Sequence, residues 1–243
     1  MNNINDNLQQ INARIRSACT SASRDPESVK LLAVSKTKPV EMVIRAMEAG
    51  QYDFGENYLQ DALSKIISIS EASGDTATRS PSWHYIGAIQ SNKTRDIARH
   101  FDWVHTVASE KVARRLNSQR PEDLPAINIL LQVNLNQEAG KAGIDHNNLA
   151  GLVDSLLTFD RIALRGLMAI PEVTKDYDQQ RANFARLADF REEIQAKFDL
   201  DQFTELSMGM SADLEAAIAE GASWVRIGTA IFGERESSAA KSQ

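Results

Sequence analysis

Eight apolar runs of strand length, each followed by a helical segment or short helical turn, fill the chain from Val29 to beyond Ile227. Strands that alternate with helices have both sheet faces covered, which is the arrangement of a parallel sheet. Eight such units in about 200 residues point to a sheet closed on itself more than to an open one. The 243-residue length fits that shape, since such barrels take roughly 250 residues. The sequence therefore predicts one (β/α)8 TIM barrel domain over residues 1–243, with no linker marking a second unit.

The strands are expected at Val29–Ser35, Gln51–Gly55, Trp83–Ala88, Asp102–Val107, Ala126–Asn134, Arg161–Ile170, Phe203–Ser207 and Ser223–Ile227. The fifth is the clearest, with Ile127, Ile129, Leu131 and Val133 on one side. Between them, helices are expected from Pro39 (proline at the first helical position) to Gly50, and from Asn57 to about Ser70. Others run from a cap at Ser91 toward His100 and over Ser109–Ser118, Asn147–Leu157, Tyr177–Phe198 and Ala212–Ala219. Ahead of the first strand, Ile4, Leu8, Ile11, Ile15 and Ala18 form one apolar stripe. They predict an extra helix over about residues 3–20 that covers the outside or base of the barrel. Ser70–Ser82 reads as a flexible loop and residues from about 237 to 243 as a frayed tail.

Composition removes several function classes. The net charge is −6 and the basic residues are scattered, so no basic stripe offers itself to nucleic acid. No apolar run approaches the roughly 18 residues of a membrane span, and the N-terminus lacks a leader's apolar region, which points to the cytoplasm. The single cysteine, Cys19, excludes an intramolecular disulfide and a Cys-based zinc site. His84, His100, His105 and His146 share no metal-ligand spacing, so no metal is expected. Glycine fingerprints for nucleotides are absent.

In a parallel barrel the loops at the carboxyl ends of the strands form one rim, where function gathers. Polar and glycine residues fall there: Lys36 after strand one, Asn57 after strand two, Met168 closing strand six, Ser207 and Met208 at strand seven, and Arg226 ahead of Gly228 and Thr229 at strand eight. Loops seven and eight of such barrels often seat phosphate. Ser207–Ser211 and Gly228–Ala230 supply hydroxyls and glycines that let backbone N–H groups approach an anion. Either loop alone is better explained as a helix cap or a turn; the two together favour a phosphate seat. A lone lysine leaving a core strand is usually a snorkelling surface residue. Opposite a phosphate seat, however, Lys36 is placed to condense with a phosphorylated aldehyde as a Schiff base. Partial desolvation and a second cation, for which Lys38 is the candidate, would favour the neutral amine that this requires. Arg226 reads either as the partner of a rim carboxylate or as a cation facing a pyridine nitrogen.

Several segments resemble the pyridoxal phosphate homeostasis proteins. They are Ala33–Pro39 (AVSKTKP), Phe54–Gln60 (FGENYLQ), His84–Lys93 (HYIGAIQSNK), Gly166–Met168, Leu206–Asp213 (LSMGMSAD) and Val225–Gly233 (VRIGTAIFG). The motifs occur in order from about Val29 to Glu234. Tyr85 stands where phenylalanine is common, and Ile89 where leucine is. The resemblance implies a fold-type III barrel, like the N-terminal domain of alanine racemase, that binds pyridoxal 5′-phosphate (PLP). It puts Lys36 at the Schiff-base position and Asn57 and Met168 along the cofactor. It also puts Ser207, Met208, Gly228 and Thr229 on the phosphate side and Arg226 at the ring nitrogen. The role it implies is upkeep of the free cofactor pool, with effects on amino-acid and keto-acid balance and no robust catalysis.

The residues bear on that last point separately. Racemisation needs an acid–base group on each face of the reacting carbon. Lys36 could serve one face. Of the four tyrosines, only Tyr58 falls on the rim, and it reads more simply as a packed helix residue. A single barrel also leaves the cofactor open to water, which suits loading and release better than turnover. The sequence thus favours a cofactor carrier, monomeric and serving PLP-dependent apo-enzymes. A weak or specialised racemase or decarboxylase of the alanine racemase type is the alternative, and a Schiff-base aldolase acting on a phosphorylated sugar a third reading.

Overall fold

A computed structural model describes residues 3–73, 79–136 and 142–234, with the backbone alone at residue 73. Eight parallel strands follow one another around a closed barrel: β1 (Lys30–Val34), β2 (Asp53–Glu56), β3 (Ser82–Tyr85), β4 (Trp103–Val107), β5 (Ile127–Gln132), β6 (Ile162–Met168), β7 (Glu205–Ser207) and β8 (Trp224–Ile227). β8 pairs back onto β1, with Leu32 opposite Arg226. The outer layer comprises α1 (Ile4–Ser21), α2 (Val40–Glu48), α3 (Leu59–Ser73), α4 (Thr94–His100), α5 (Glu110–Gln119), α6 (His146–Leu156), α7 (Tyr177–Phe198), α8 (Leu214–Ala219) and the single turn α9 (Thr229–Phe232).

The alternation expected from the sequence is present, and the differences lie at element ends. β3 stops at Tyr85 and β6 at Met168, because the apolar residues beyond them, Ile86 and Ile170, turn onto the barrel mouth. Pro39 stands just before α2 at φ −65 and ψ 155, not inside its first turn. Ser91 opens a 3-10 turn, Ser91–Lys93, ahead of α4 and caps nothing with its side chain. α8 starts at Leu214, so Ser211 is not its cap. The Ser70–Ser82 loop is shorter than expected. Leu59, Ala62 and Ile69 continue one buried stripe that carries α3 to Ser73, and Ser82 begins β3. Residues 74–78 and the tail from 237 lie outside the described residues.

α1 lies on the outer wall against α8, α9 and α2. The helix after β8 is four residues long, too short to cover the seam between β8 and β1. α1 fills that eighth outer position with its stripe of Ile4, Leu8, Ile11, Ile15 and Ala18, all buried.

Side chains alternate in and out along each strand. The lower interior is aromatic and polar: His84 stacks on Trp103 at 5.6 Å between ring centroids with 3° between planes, and Trp224 meets both edge-on. His105 sits one pleat above Trp103 and is fully buried, as is His84. Burial pushes both histidines below their ordinary range. At His84, Asp53 and Asp102 oppose this and Lys30 adds to it, whereas the neighbouring His84 and Arg226 push His105 further down.

A buried ion cluster braces the mouth between β1 and β2. Lys65, on α3, donates from Nζ to Ser35 O, Glu56 Oε1 and Asp61 Oδ2, each at 2.8 Å. Ser35 Oγ donates to the same Glu56 oxygen at 2.7 Å. Asp61 Oδ2 also accepts from the backbone N–H of Thr37 at 3.0 Å.

Two consequences follow. Lys65→Met should lower unfolding free energy by about 3–5 kcal/mol, because it leaves the buried Glu56 carboxylate unpaired; adding Glu56→Gln should recover a large part, as read from urea denaturation midpoints. Acid should also destabilise the barrel. The unfolded chain takes up protons near the free histidine value of about 6.5, while the buried rings, held below it, take them up only at lower pH. Stability should therefore fall from pH 7 to pH 5, by up to about 1.4 kcal/mol per pH unit for each neutral ring. Equal urea midpoints at the two pH values would contradict this.

Candidate cofactor site

A cavity of about 340 Å³ opens at the carboxyl ends of the strands. β1 contributes Val34 and the following Lys36, the loop after β2 Asn57, the loop after β3 Ile86, and β6 Met168 with Ile170 beyond it. Arg226, Gly228 and Thr229 come from β8 and its loop, and Met210, Ser211 and Ala212 from the loop after β7. Six of the residues singled out in the sequence therefore share one cavity: Lys36, Asn57, Met168, Arg226, Gly228 and Thr229. Ser207 and Met208 do not reach its wall. Both are fully buried, Ser207 beneath Arg226 and Met208 in the hydrophobic core. Met210, Ser211 and Ala212 form the β7 side of the cavity instead.

Lys36 is held by a tight turn. Lys38 N–H donates to Ser35 O at 3.0 Å, leaving Lys36 and Thr37 as the central pair. Thr37 has φ 62, a left-handed conformation that a β-branched residue resists, at a cost of about 1–3 kcal/mol. Its bond to Asp61 and the Lys65 cluster beneath hold it there. Lys38, the second cation anticipated for Lys36, has another task. Its ammonium donates to Gly233 O at 2.8 Å and Glu234 O at 2.7 Å, tying the β1 turn to the end of the β8 loop.

Close backbone approach positions Asn57. A Cβ on Gly87 would lie 2.1 Å from Asn57 O, so only glycine lets the β3 loop press against the β2 loop. Asn57 Oδ1 is buried and has no hydrogen-bond partner.

Arg226 forms the floor. Nη1 donates to Ser207 O at 2.6 Å and Ser207 Oγ at 2.8 Å, and Nη2 donates to Ala169 O at 3.0 Å. Burial lowers its pKa to about 10, with Asp213 pulling the other way, so the guanidinium stays charged at neutral pH. On the β7 and β8 loops, the backbone N–H groups of Ser211, Ala212, Gly228 and Thr229 donate to no protein acceptor among the described residues. Four free donors from two neighbouring loops, above a fixed cation, suit an anion. Among the described residues no cluster of His, Cys, Asp and Glu is arranged to hold a metal, and no helix is long and apolar enough to cross a membrane.

Ile86 and Ile170 were expected only as strand residues; their signal was parity, since Ile86 lies two residues past the inward-facing His84 and Ile170 two past Met168. Tyr58 is 53% exposed and off the cavity wall. A larger groove of about 700 Å³ lies on the outer surface along α1, α7 and α8. Its arginines are already paired, Arg14 with Glu215 and Arg181 with Glu220, and it faces away from the strand ends where barrel chemistry gathers.

Comparison with known proteins agrees with this geometry. The family described as alanine racemase, N-terminal domain, matches residues 7–236. The pyridoxal phosphate homeostasis protein of Pseudomonas aeruginosa is 50% identical over 236 residues, covering 97% of each chain. That of Vibrio cholerae is 48% identical over 236 residues, covering 97% of this chain and 98% of its own. Among solved structures, PipY of Synechococcus elongatus with PLP bound superposes with a TM-score of 0.81 at 36% identity, covering 95% of this chain and all of PipY. Alanine racemase of Clostridium difficile shares the fold alone, with a TM-score of 0.70 at 15% identity and coverage of 98% of this chain and 58% of the racemase. By the extent of these matches, the chain belongs to the alanine racemase N-terminal domain family and, within it, to the pyridoxal phosphate homeostasis proteins.

Proposed function

We propose that this chain binds PLP in the cavity at the barrel mouth, through a Schiff base on Lys36, and serves PLP homeostasis as a carrier. The observation that carries the reading is the pairing, across one cavity, of the only lysine on its wall with four unsatisfied backbone N–H groups. An amine at one side and an anion seat at the other match a phosphorylated aldehyde in both of its reactive ends. Ser211, Ala212, Gly228 and Thr229 would take the phosphate, and Asn57 and Met168 would flank the ring. When bound, PLP supplies an electron sink. Arg226, fixed as a cation, would keep the ring nitrogen unprotonated and so weaken that sink. Ser207 and Met208 would act from behind the wall.

The cavity wall favours a carrier over a racemase. Its titratable side chains are Lys36 and Arg226, and a guanidinium does not exchange its proton in a protein. That leaves Lys36 as the one group on the wall able to move a proton, where racemisation needs two. The same reading makes the barrel one PLP-binding domain, monomeric and cytoplasmic, that passes the cofactor to PLP-dependent apo-enzymes.

Protein loaded with PLP should show a visible absorption band that borohydride removes. Lys36→Ala should lack the band, and Arg226→Glu should shift it. Deuterium exchange at Cα of added amino acids should stay at the rate of free PLP. An unchanged band in Lys36→Ala would refute the covalent attachment, and enzyme-like exchange would favour the racemase reading. A colourless, PLP-indifferent protein that loses activity on a phosphorylated sugar when Lys36 is replaced would favour the aldolase.

A further inference from the structure

Beneath the cavity, five polar side chains run through the barrel interior from the mouth toward the opposite end. Arg226 Nη1 donates to Ser207 Oγ at 2.8 Å. Ser207 Oγ lies 2.9 Å from His105 Nδ1, and His105 Nε2 lies 3.0 Å from His84 Nδ1. His84 Nε2 ends the series 3.3 Å from Asp53 Oδ1, with Ser82 Oγ 3.2 Å away. These residues come from β8, β7, β4, β3 and β2. Two of them, His84 and His105, are fully buried titratable groups for which cofactor binding has no direct use.

The carboxylate end sets the direction of the bonds when both rings are neutral. A carboxylate only accepts, so His84 carries its proton on Nε2 and donates it to Asp53, with Ser82 Oγ beside the same nitrogen. A neutral His84 is then bare at Nδ1 and accepts from His105, which carries its own proton on Nε2. His105 Nδ1 is bare in turn and accepts the Ser207 hydroxyl hydrogen, while a lone pair of Ser207 Oγ takes the bond from Arg226. A second proton on His84 would set two donors face to face across 3.0 Å, and one on His105 would stand beside the cationic Arg226.

We propose that Ser207, His105, His84 and Asp53 form a one-way chain of hydrogen bonds that positions Arg226 in the cavity floor, with both histidines neutral and protonated on Nε2. The burial that pushes both rings below the usual histidine range, and the cationic Arg226 above His105, work in the same direction. Asp53 and Asp102 near His84 oppose it and Lys30 supports it. The chain commits the Ser207 hydroxyl hydrogen to His105 instead of to a bound anion. Ser207, His105, His84 and Asp53 are thus positioning residues, and their hydrogen-bond order does not depend on whether the cavity takes PLP.

The test uses the full-length protein without PLP. Replacing His100 and His146 by glutamine leaves the two core rings as the only histidines of the four in the chain. Long-range ¹⁵N–¹H correlation spectra then report which ring nitrogen carries the proton. At pH 7 both rings should show a protonated Nε2 and a bare Nδ1. A doubly protonated ring, or a proton on Nδ1 of either, would overturn the proposal. Asp53→Ala removes the terminal acceptor and lets the Ser82 hydroxyl donate to His84 Nε2, so the chain is free to reverse. The proton should then move to Nδ1 in the same share of both rings, although Asp53 does not touch His105. Asp53→Glu should restore Nε2 in both. A change at His84 alone, or at neither ring, would show that the groups are not coupled. If Asp53→Ala does not fold, the spectra of the chain with Asp53 intact decide.

Discussion

A guanidinium sealed inside a barrel stays only if its N–H groups are met by acceptors. Arg226 meets that condition with the carbonyls of Ala169 and Ser207 and the hydroxyl of Ser207. Those acceptors stand at the ends of β6 and β7, so satisfying one cation fixes the edges of three adjacent strands at once. Met168 and the β7 and β8 loops take their places around it. The charge that suits the floor of an anion site also sets the geometry of that site.

The opposite side of the mouth solves a different problem, that of presenting an amine on a strained turn. Thr37 would relax out of its left-handed conformation without the Asp61 bond, and Asp61 is held by Lys65, which also grips Ser35 and Glu56. A buried ion pair of this kind adds little net stability, since desolvation offsets most of its attraction. What it gives the molecule is definition: the turn carrying Lys36 has one conformation.

The fold was legible because periodicity is written along the chain. Runs such as Ile127–Val133 and the stripe Ile4–Ala18 each declare their element locally. The rim residues were legible because strand ends mark them; Lys36, Asn57, Met168, Arg226, Gly228 and Thr229 needed only the rule that barrel function sits there. What stayed hidden depends on contacts between distant segments. Nothing around Ser207 shows that its side chain turns inward under Arg226 while Ser211, four residues on, reaches the cavity. Nothing around His84 and His105 shows that they meet, since their 21-residue separation fits neither a helix face nor a metal-ligand motif. Lys38 illustrates the same limit, for its carbonyl partners lie 195 and 196 residues away.

The eighth outer position, filled by α1, has a consequence for how the molecule comes into being. Arg14 Nη1 donates to Ser211 O and Asn7 Nδ2 to Ile231 O, bonds that join residues 197 and 224 positions apart. The loops offered to an anion are therefore backed by a segment that leaves the ribosome long before they do. That segment must wait, its apolar stripe uncovered, until β8 has been made. The cavity wall that these loops form is accordingly the last part of the barrel to become whole, and a nascent chain lacks it until synthesis has passed the final strand.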